Sequence, residues 1–133
     1  MGRARESQGV SGAMVHVLVI DDDPLFREIV RELLAQAGYA VTLAENGARA
    51  AEVDAAPDLA VVDMLMPERD GIETIRDLRQ RWPGVKLIAV SAGSRGLDPS
   101  LLLRAAKAMG ADAVLQKPVD HATLLKLVGT LLG

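Results

Sequence analysis

Four short stretches of the chain end in residues that can do phosphorus and metal chemistry. VHVLVI (15–20) runs into Asp21, Asp22 and Asp23, and DLAVVD (58–63) ends on Asp63. VKLIAVS (85–91) ends on Ser91, and DAVLQ (112–116) is followed by Lys117 and Pro118. Carboxylates brought together repel one another, and a bound divalent cation removes that cost. Mg2+ takes oxygen ligands, keeps several waters and typically uses one or two carboxylates with a phosphate oxygen. A carboxylate can also attack phosphorus and form an aspartyl phosphate. A hydroxyl and an ammonium on the same rim can hold the oxygens of the transferred group.

These residues act together only if the fold gathers them. The run 15–20 reads as a buried strand. In PLFREIVRELLAQAG (24–38), Leu25, Ile29, Leu33 and Ala37 recur every four residues, with Phe26, Val30 and Leu34 beside them. That spacing predicts an amphipathic helix, and Gly38 is a fitting stop. YAVTLA (39–44) reads as a second strand and GARAAEVDA (47–55) as a short helix. Strands at 58–63, 85–91 and 112–116 are each followed by a helical pattern, at 72–82, 99–109 and 121–132. Strict alternation of strand and helix implies a parallel sheet covered on both faces. Ligands bind such sheets outside the carboxyl ends of the strands, where strand order reverses. Asp21, Asp22, Asp63, Ser91 and Lys117 all fall at those ends. The second strand ends in AEN, with no obvious chemistry. The third aspartate serves the helix instead, since Asp23-Pro24 is an N-cap followed by proline at the first helical position. Asp98-Pro99 repeats the arrangement, and Asp70 with Glu73 has capping-box spacing. The triple aspartate therefore divides into two residues for the metal and one for the helix.

From about Val15 onward, VLVIDDDP, DLAVVDMLMPERDG, LIAVSA and GADAVLQKP together resemble the receiver domain of bacterial response regulators, the CheY-like family. Any one of these pieces alone would be a weak signal. The resemblance implies a flavodoxin-like, doubly wound α/β fold, with a five-stranded parallel sheet in the order 2-1-3-4-5 and five helices. It implies that Asp63 accepts a phosphoryl group from a histidine kinase or phosphotransfer protein. Mg2+ would be held by Asp22 directly, by Asp21 mainly through water, by Asp63 and by the Leu65 backbone carbonyl. Ser91 would bond a phosphoryl oxygen, and Lys117 would pair with the phosphorylated carboxylate. Such a domain catalyses only its own phosphorylation and dephosphorylation, and it signals by switching partner binding. One departure is Val114, where many receivers carry a Tyr or Phe whose rotation accompanies activation. Coupling would then run through residues 92–98.

Length and composition narrow the remaining choices. The 133 residues suit one domain, expected over 15–133, behind a disordered tail at 1–14. A net charge of −3 without a basic block argues against a nucleic-acid surface. There is no cysteine, hence no disulfide framework or thiolate chemistry. No apolar run reaches a membrane span, and MGRARESQGVSGAM lacks the apolar stretch of a signal peptide; a cytoplasmic location is expected. Phe26, Tyr39 and Trp82 are the only aromatics, so the core must be aliphatic. His16 reads as a structural strand residue and His121 as solvated, and GSRG (93–96) as a strand-to-helix loop.

A rival reading is a small phosphohydrolase of the haloacid-dehalogenase type, with Asp21 as nucleophile and Asp23 as acid. Ser91 and a later lysine would supply its next motifs, but no acidic pair follows Lys117 on a strand, and Asp63 goes unexplained. A third reading is a degenerate receiver that binds partners without phosphorylation; the intact acid pocket speaks against it. Few polar residues interrupt 101–109 and 124–132, so some of Leu101, Leu102, Leu103, Leu125 and Val128 should remain partly exposed. The face formed by the fourth helix, fifth strand and fifth helix is thus expected to meet a downstream protein or a second copy of the chain.

Overall fold

The computed structural model describes residues 14–64, 71–92 and 98–133. Apart from Met14, the tail expected at 1–14 lies outside the described residues. Along the chain run β1 (His16–Ile20), α1 (Pro24–Gln36), β2 (Ala40–Ala44), α2 (Gly47–Ala50), β3 (Leu59–Asp63), α3 (Gly71–Arg81), β4 (Lys86–Ser91), α4 (Pro99–Ala108), β5 (Ala113–Gln116) and α5 (His121–Leu132). The strands form one sheet in the order β2-β1-β3-β4-β5, every pair parallel. The chain moves outward from β1 to β2, then returns across β1 to β3. Strand order therefore reverses at β1, and a crevice opens beside it at the carboxyl ends of β1 and β3.

Alternate residues of a strand face opposite sides of a sheet, and here both sides are apolar. Val17, Val19, Val61, Ile88 and Val90 pack against Val30 and Leu34 of α1 and Leu124 and Val128 of α5. On the other side, Leu18, Ile20, Val62, Leu87 and Ala89 pack against Ala50 of α2, Ile75 and Leu78 of α3, and Leu103 and Ala106 of α4. Burial on two faces explains why the strands read as unbroken aliphatic runs.

Helix starts follow the predicted chemistry. Asp23 caps α1, its carboxylate accepting from the Leu25 amide at 3.0 Å, with Pro24 in the first turn. Asp98 caps α4 in the same way through the Ser100 amide, also 3.0 Å. Gly38 ends the turn after α1 at φ 100°, the left-handed region that glycine tolerates. His16 is a strand residue whose Nε2 lies 2.6 Å from Thr42 Oγ1 on the neighbouring edge strand. His121 is exposed.

One expectation is corrected. The second helix was read over 47–55, but α2 is only Gly47–Ala50. Helical bonding gives way to tight turns, Glu52 N–H to the Arg49 carbonyl and Val53 N–H to the Ala50 carbonyl. The Arg81 guanidinium reaches over from α3 and takes the Ala51 carbonyl at 2.7 Å, together with the Val53 carbonyl. A tertiary partner satisfies carbonyls that a longer helix would have used. In α1, the stripe that turns inward holds Phe26, Val30 and Leu34, whereas Leu25 and Ile29 are exposed. Two stripes of equal spacing lay side by side in the sequence, and periodicity could not choose between them.

On the face of α4, β5 and α5, Leu101 is 55% exposed and Leu125 half-buried, while Leu103 and Val128 belong to the core. The Leu102 side chain lies outside the described residues. Among the described residues no helix is long and apolar enough to cross a membrane.

Candidate functional site

The site is built at the crevice where strand order reverses. β1 delivers Asp21 to its floor, where the residue is 1% exposed, and the next residue, Asp22, stays at the surface. Local bonds fix this turn. The Asp21 N–H donates to the Ala44 carbonyl at 3.1 Å, the Asp23 amide donates to Asp21 Oδ1 at 2.9 Å, and Arg27 Nη1 donates to the Asp21 carbonyl at 2.7 Å. Residue 23 thus serves twice: its backbone amide holds the first acid in place, and its side chain caps α1.

β3 delivers Asp63, 4% exposed, beside this pair. One oxygen from each of Asp21, Asp22 and Asp63 lies within 4.8 Å of the others. The backbone after Asp63 is held down by Gly71 at the start of α3. Its amide donates to the Met64 carbonyl at 3.3 Å. A Cβ at position 71 would stand 2.5 Å from Met64 Cα and 2.7 Å from the Asp63 carbonyl oxygen, so only glycine allows this approach. Ser91 ends β4 completely buried, next to the β3 end: the Met64 amide donates to the Val90 carbonyl at 2.8 Å.

Lys117 closes the site from the end of β5. Its amide donates to the Ser91 carbonyl at 2.9 Å, which anchors the backbone, and its ammonium donates to Asp21 Oδ2 at 2.8 Å. The same ammonium lies 4.2 Å from the centroid of the Phe26 ring. Burial pushes the Asp21 carboxyl above the ordinary aspartate range; the hydrogen bonds from Lys117 and the Asp23 amide pull it part of the way back.

The donor set suits a hard divalent cation. Carboxylate oxygens from three residues, one of them exposed enough to share its ligand with water, match the oxygen-rich, partly hydrated coordination of Mg2+. The Lys117 ammonium is bonded to Asp21, on the side of the cluster that faces β5.

Asp21, Asp22, Asp63, Ser91 and Lys117 all stand at the carboxyl edge, as their strand-end positions implied. The resemblance put Lys117 on the phosphorylated carboxylate; in this structure its ammonium is seated on Asp21. Leu65, Asp70 with its capping-box role, and residues 93–97 lie outside the described residues. Val114 is half-buried and packs against the core under α3 and α4. Sequence reasoning missed Phe26, Arg27 and Gly71 as supports of the site. Only Gly71 had a local signal, an Asp-Gly step before a helix. The roles of Phe26 and Arg27 depend on which face of α1 turns toward the crevice.

Comparison with known proteins agrees with this architecture. The family model described as the response regulator receiver domain matches residues 17–129. Response regulator MprA of Mycolicibacterium vanbaalenii is 36% identical over 120 residues, covering 89% of this chain and 50% of that protein. The chain thus spans about half the length of that relative. Among solved structures, the chemotaxis protein CheY4 of Vibrio cholerae superposes with a TM-score of 0.78 at 30% identity, covering 90% of this chain and 100% of that one. A response regulator protein from Burkholderia pseudomallei, solved with a phosphorylated aspartic acid, calcium ion and citrate, gives 0.75 at 25% identity, covering 89% of this chain and 66% of that one. These matches favour the receiver over the haloacid-dehalogenase reading and identify a phosphorylation-dependent module of two-component signalling. The chain belongs to the response regulator receiver domain family.

Proposed function

We propose that Asp63 is the phosphoacceptor and that Asp21 and Asp22, with Asp63 and the Leu65 carbonyl, hold the Mg2+ the reaction needs. The observation that carries this reading is the approach of the three carboxylates to within 4.8 Å, at the point where the sheet reverses order. When bound, Mg2+ supplies positive charge to the phosphoryl oxygens and to the repelling acids. A carboxylate oxygen of Asp63 attacks phosphorus and forms the O–P bond. The donor's bond to phosphorus breaks, and its electron pair leaves on the donor atom, an imidazole nitrogen in a histidine kinase or phosphotransfer protein. Ser91 and Lys117 receive the transferred oxygens, one by a hydroxyl hydrogen bond and one by charge. In unloading, water attacks phosphorus, the Asp63 Oδ–P bond breaks, and inorganic phosphate leaves with Asp63 restored as a carboxylate. The phosphorylated aspartate and calcium ion of the Burkholderia pseudomallei protein support this assignment.

The domain, taken as 15–133, works in the cytoplasm and alters its surface for a downstream protein. The face of α4, β5 and α5 is the proposed contact, on the strength of exposed Leu101, with a second copy of the chain as the alternative occupant. The test is incubation with acetyl phosphate with and without Mg2+, then borohydride reduction, which turns an aspartyl phosphate into homoserine. Peptide mapping should find homoserine at position 63 only when Mg2+ is present. Homoserine at position 21 instead would overturn the assignment.

A further inference from the structure

We propose that Phe26 is a positioning residue for Lys117, holding its ammonium over the phosphoacceptor crevice by a cation–π contact. The inference rests on the reading of Asp63 as phosphoacceptor and adds a residue to it. The ammonium meets two anchors among the described residues: Asp21 Oδ2 at 2.8 Å and the Phe26 ring, at 4.2 Å from its centroid. They come from different elements, Asp21 from the end of β1 and Phe26 from the first turn of α1. The two anchors differ in kind. Asp21 is also one of the three carboxylates that can hold the divalent ion, so its oxygens face competing demands. The ring face has no other cation beside it among the described residues.

Phe26 is also well placed to hold a fixed position. Its ring packs on the cluster built from Val17, Val30, Leu34 and Leu124, so it cannot swing away without opening that core. The Lys117 side chain is only 18% exposed, which strengthens a cation–π contact by partial desolvation. When Asp21 turns toward the ion, the ring still keeps the ammonium at the crevice and out of solvent. An aliphatic residue at position 26 would fill the same core space but would lack the negative ring face.

The test compares the full chain with Phe26→Leu and Phe26→Tyr, using beryllofluoride with Mg2+ as the phosphoryl mimic. In the wild type, the Lys117 ε-methylene protons should be shifted upfield by the ring current, both before and after beryllofluoride is added. Phe26→Leu should lose that shift and bind beryllofluoride roughly three- to tenfold more weakly. Phe26→Tyr, which keeps a π face, should restore both. Thermal unfolding of each variant separates packing from positioning. Affinity in Phe26→Leu equal to wild type overturns the inference. So does a Phe26→Tyr as weak as Phe26→Leu, or a wild-type upfield shift that vanishes on adding beryllofluoride. Each of these leaves the phosphoacceptor reading standing. A wild type that fails to bind beryllofluoride at all brings down that reading, and this inference with it.

Discussion

Lys117 Nζ lies 2.8 Å from Asp21 Oδ2, joining the end of β5 to the end of β1 across 96 positions of sequence. Asp21 is almost wholly buried, and a buried carboxylate stripped of its cation is costly. Lys117→Ala should therefore lower stability by about 1–3 kcal/mol in metal-free protein. Mg2+ should restore part of the loss, because a cation again faces Asp21. The measurement is thermal unfolding of wild type and variant across a Mg2+ titration; a loss that Mg2+ leaves unchanged would contradict the shared role of Asp21.

Asp22 is the exposed member of the acid cluster. With Mg2+, it supplies ligand oxygen; without Mg2+, it adds like charge beside Asp21 and Asp63. Asp22→Ala should reduce the Mg2+-induced rise in melting temperature and raise the melting temperature of the metal-free protein. An Mg2+ shift equal to wild type would refute its role as a ligand.

Gly71 touches the backbone on which Asp63 sits. The Cβ of Gly71→Ala would meet Met64 Cα and the Asp63 carbonyl, neither of which can rotate aside. The expected result is destabilisation of about 1–3 kcal/mol and slower phosphorylation by acetyl phosphate, because the end of β3 must move. Unfolding and labelling rates measured on the same preparation check both; a variant as stable and as fast as wild type would show that α3 starts elsewhere.

The acid side of the stability curve involves Asp120, the N-cap of α5. Hydrogen bonds from the Thr123 hydroxyl and amide hold its carboxyl below the ordinary aspartate range. A depressed folded value means that the ionised cap contributes stability above the unfolded value of 3.8, and that this is lost as pH falls through the folded one. Asn also caps helices but does not titrate here. Melting temperatures of wild type and Asp120→Asn should therefore respond differently to pH only below about pH 4, with the wild type falling more steeply. Parallel curves through that range would contradict the assignment.

Much of this was legible in local sequence chemistry. The alternation of aliphatic runs and amphipathic segments specifies a parallel sheet, because a strand buried on both faces has no polar period. Asp23-Pro24 and Asp98-Pro99 announce their helices because capping needs only neighbours in sequence. The residues of the carboxyl edge could be picked out because each stands at or just past the end of a strand. What the sequence concealed depends on distant partners. The short α2 ends where Arg81, about thirty residues on, takes the Ala51 and Val53 carbonyls. The seat of Lys117 on Asp21 and Phe26 depends on strand order and on the rotation of α1, and two equal stripes left that rotation undecided. Asp120 had a local signal, an aspartate three residues before Thr123, that sequence reading passed over.

Phosphorylation of this domain turns on a single acid, Asp63, and the intact mass of the protein after incubation with acetyl phosphate and Mg2+ is the most direct test. The wild type should gain one phosphoryl group, and Asp63→Asn, with its thermal unfolding showing a folded domain, should gain none. Equal labelling of the two proteins would contradict the assignment of Asp63 as the phosphoacceptor.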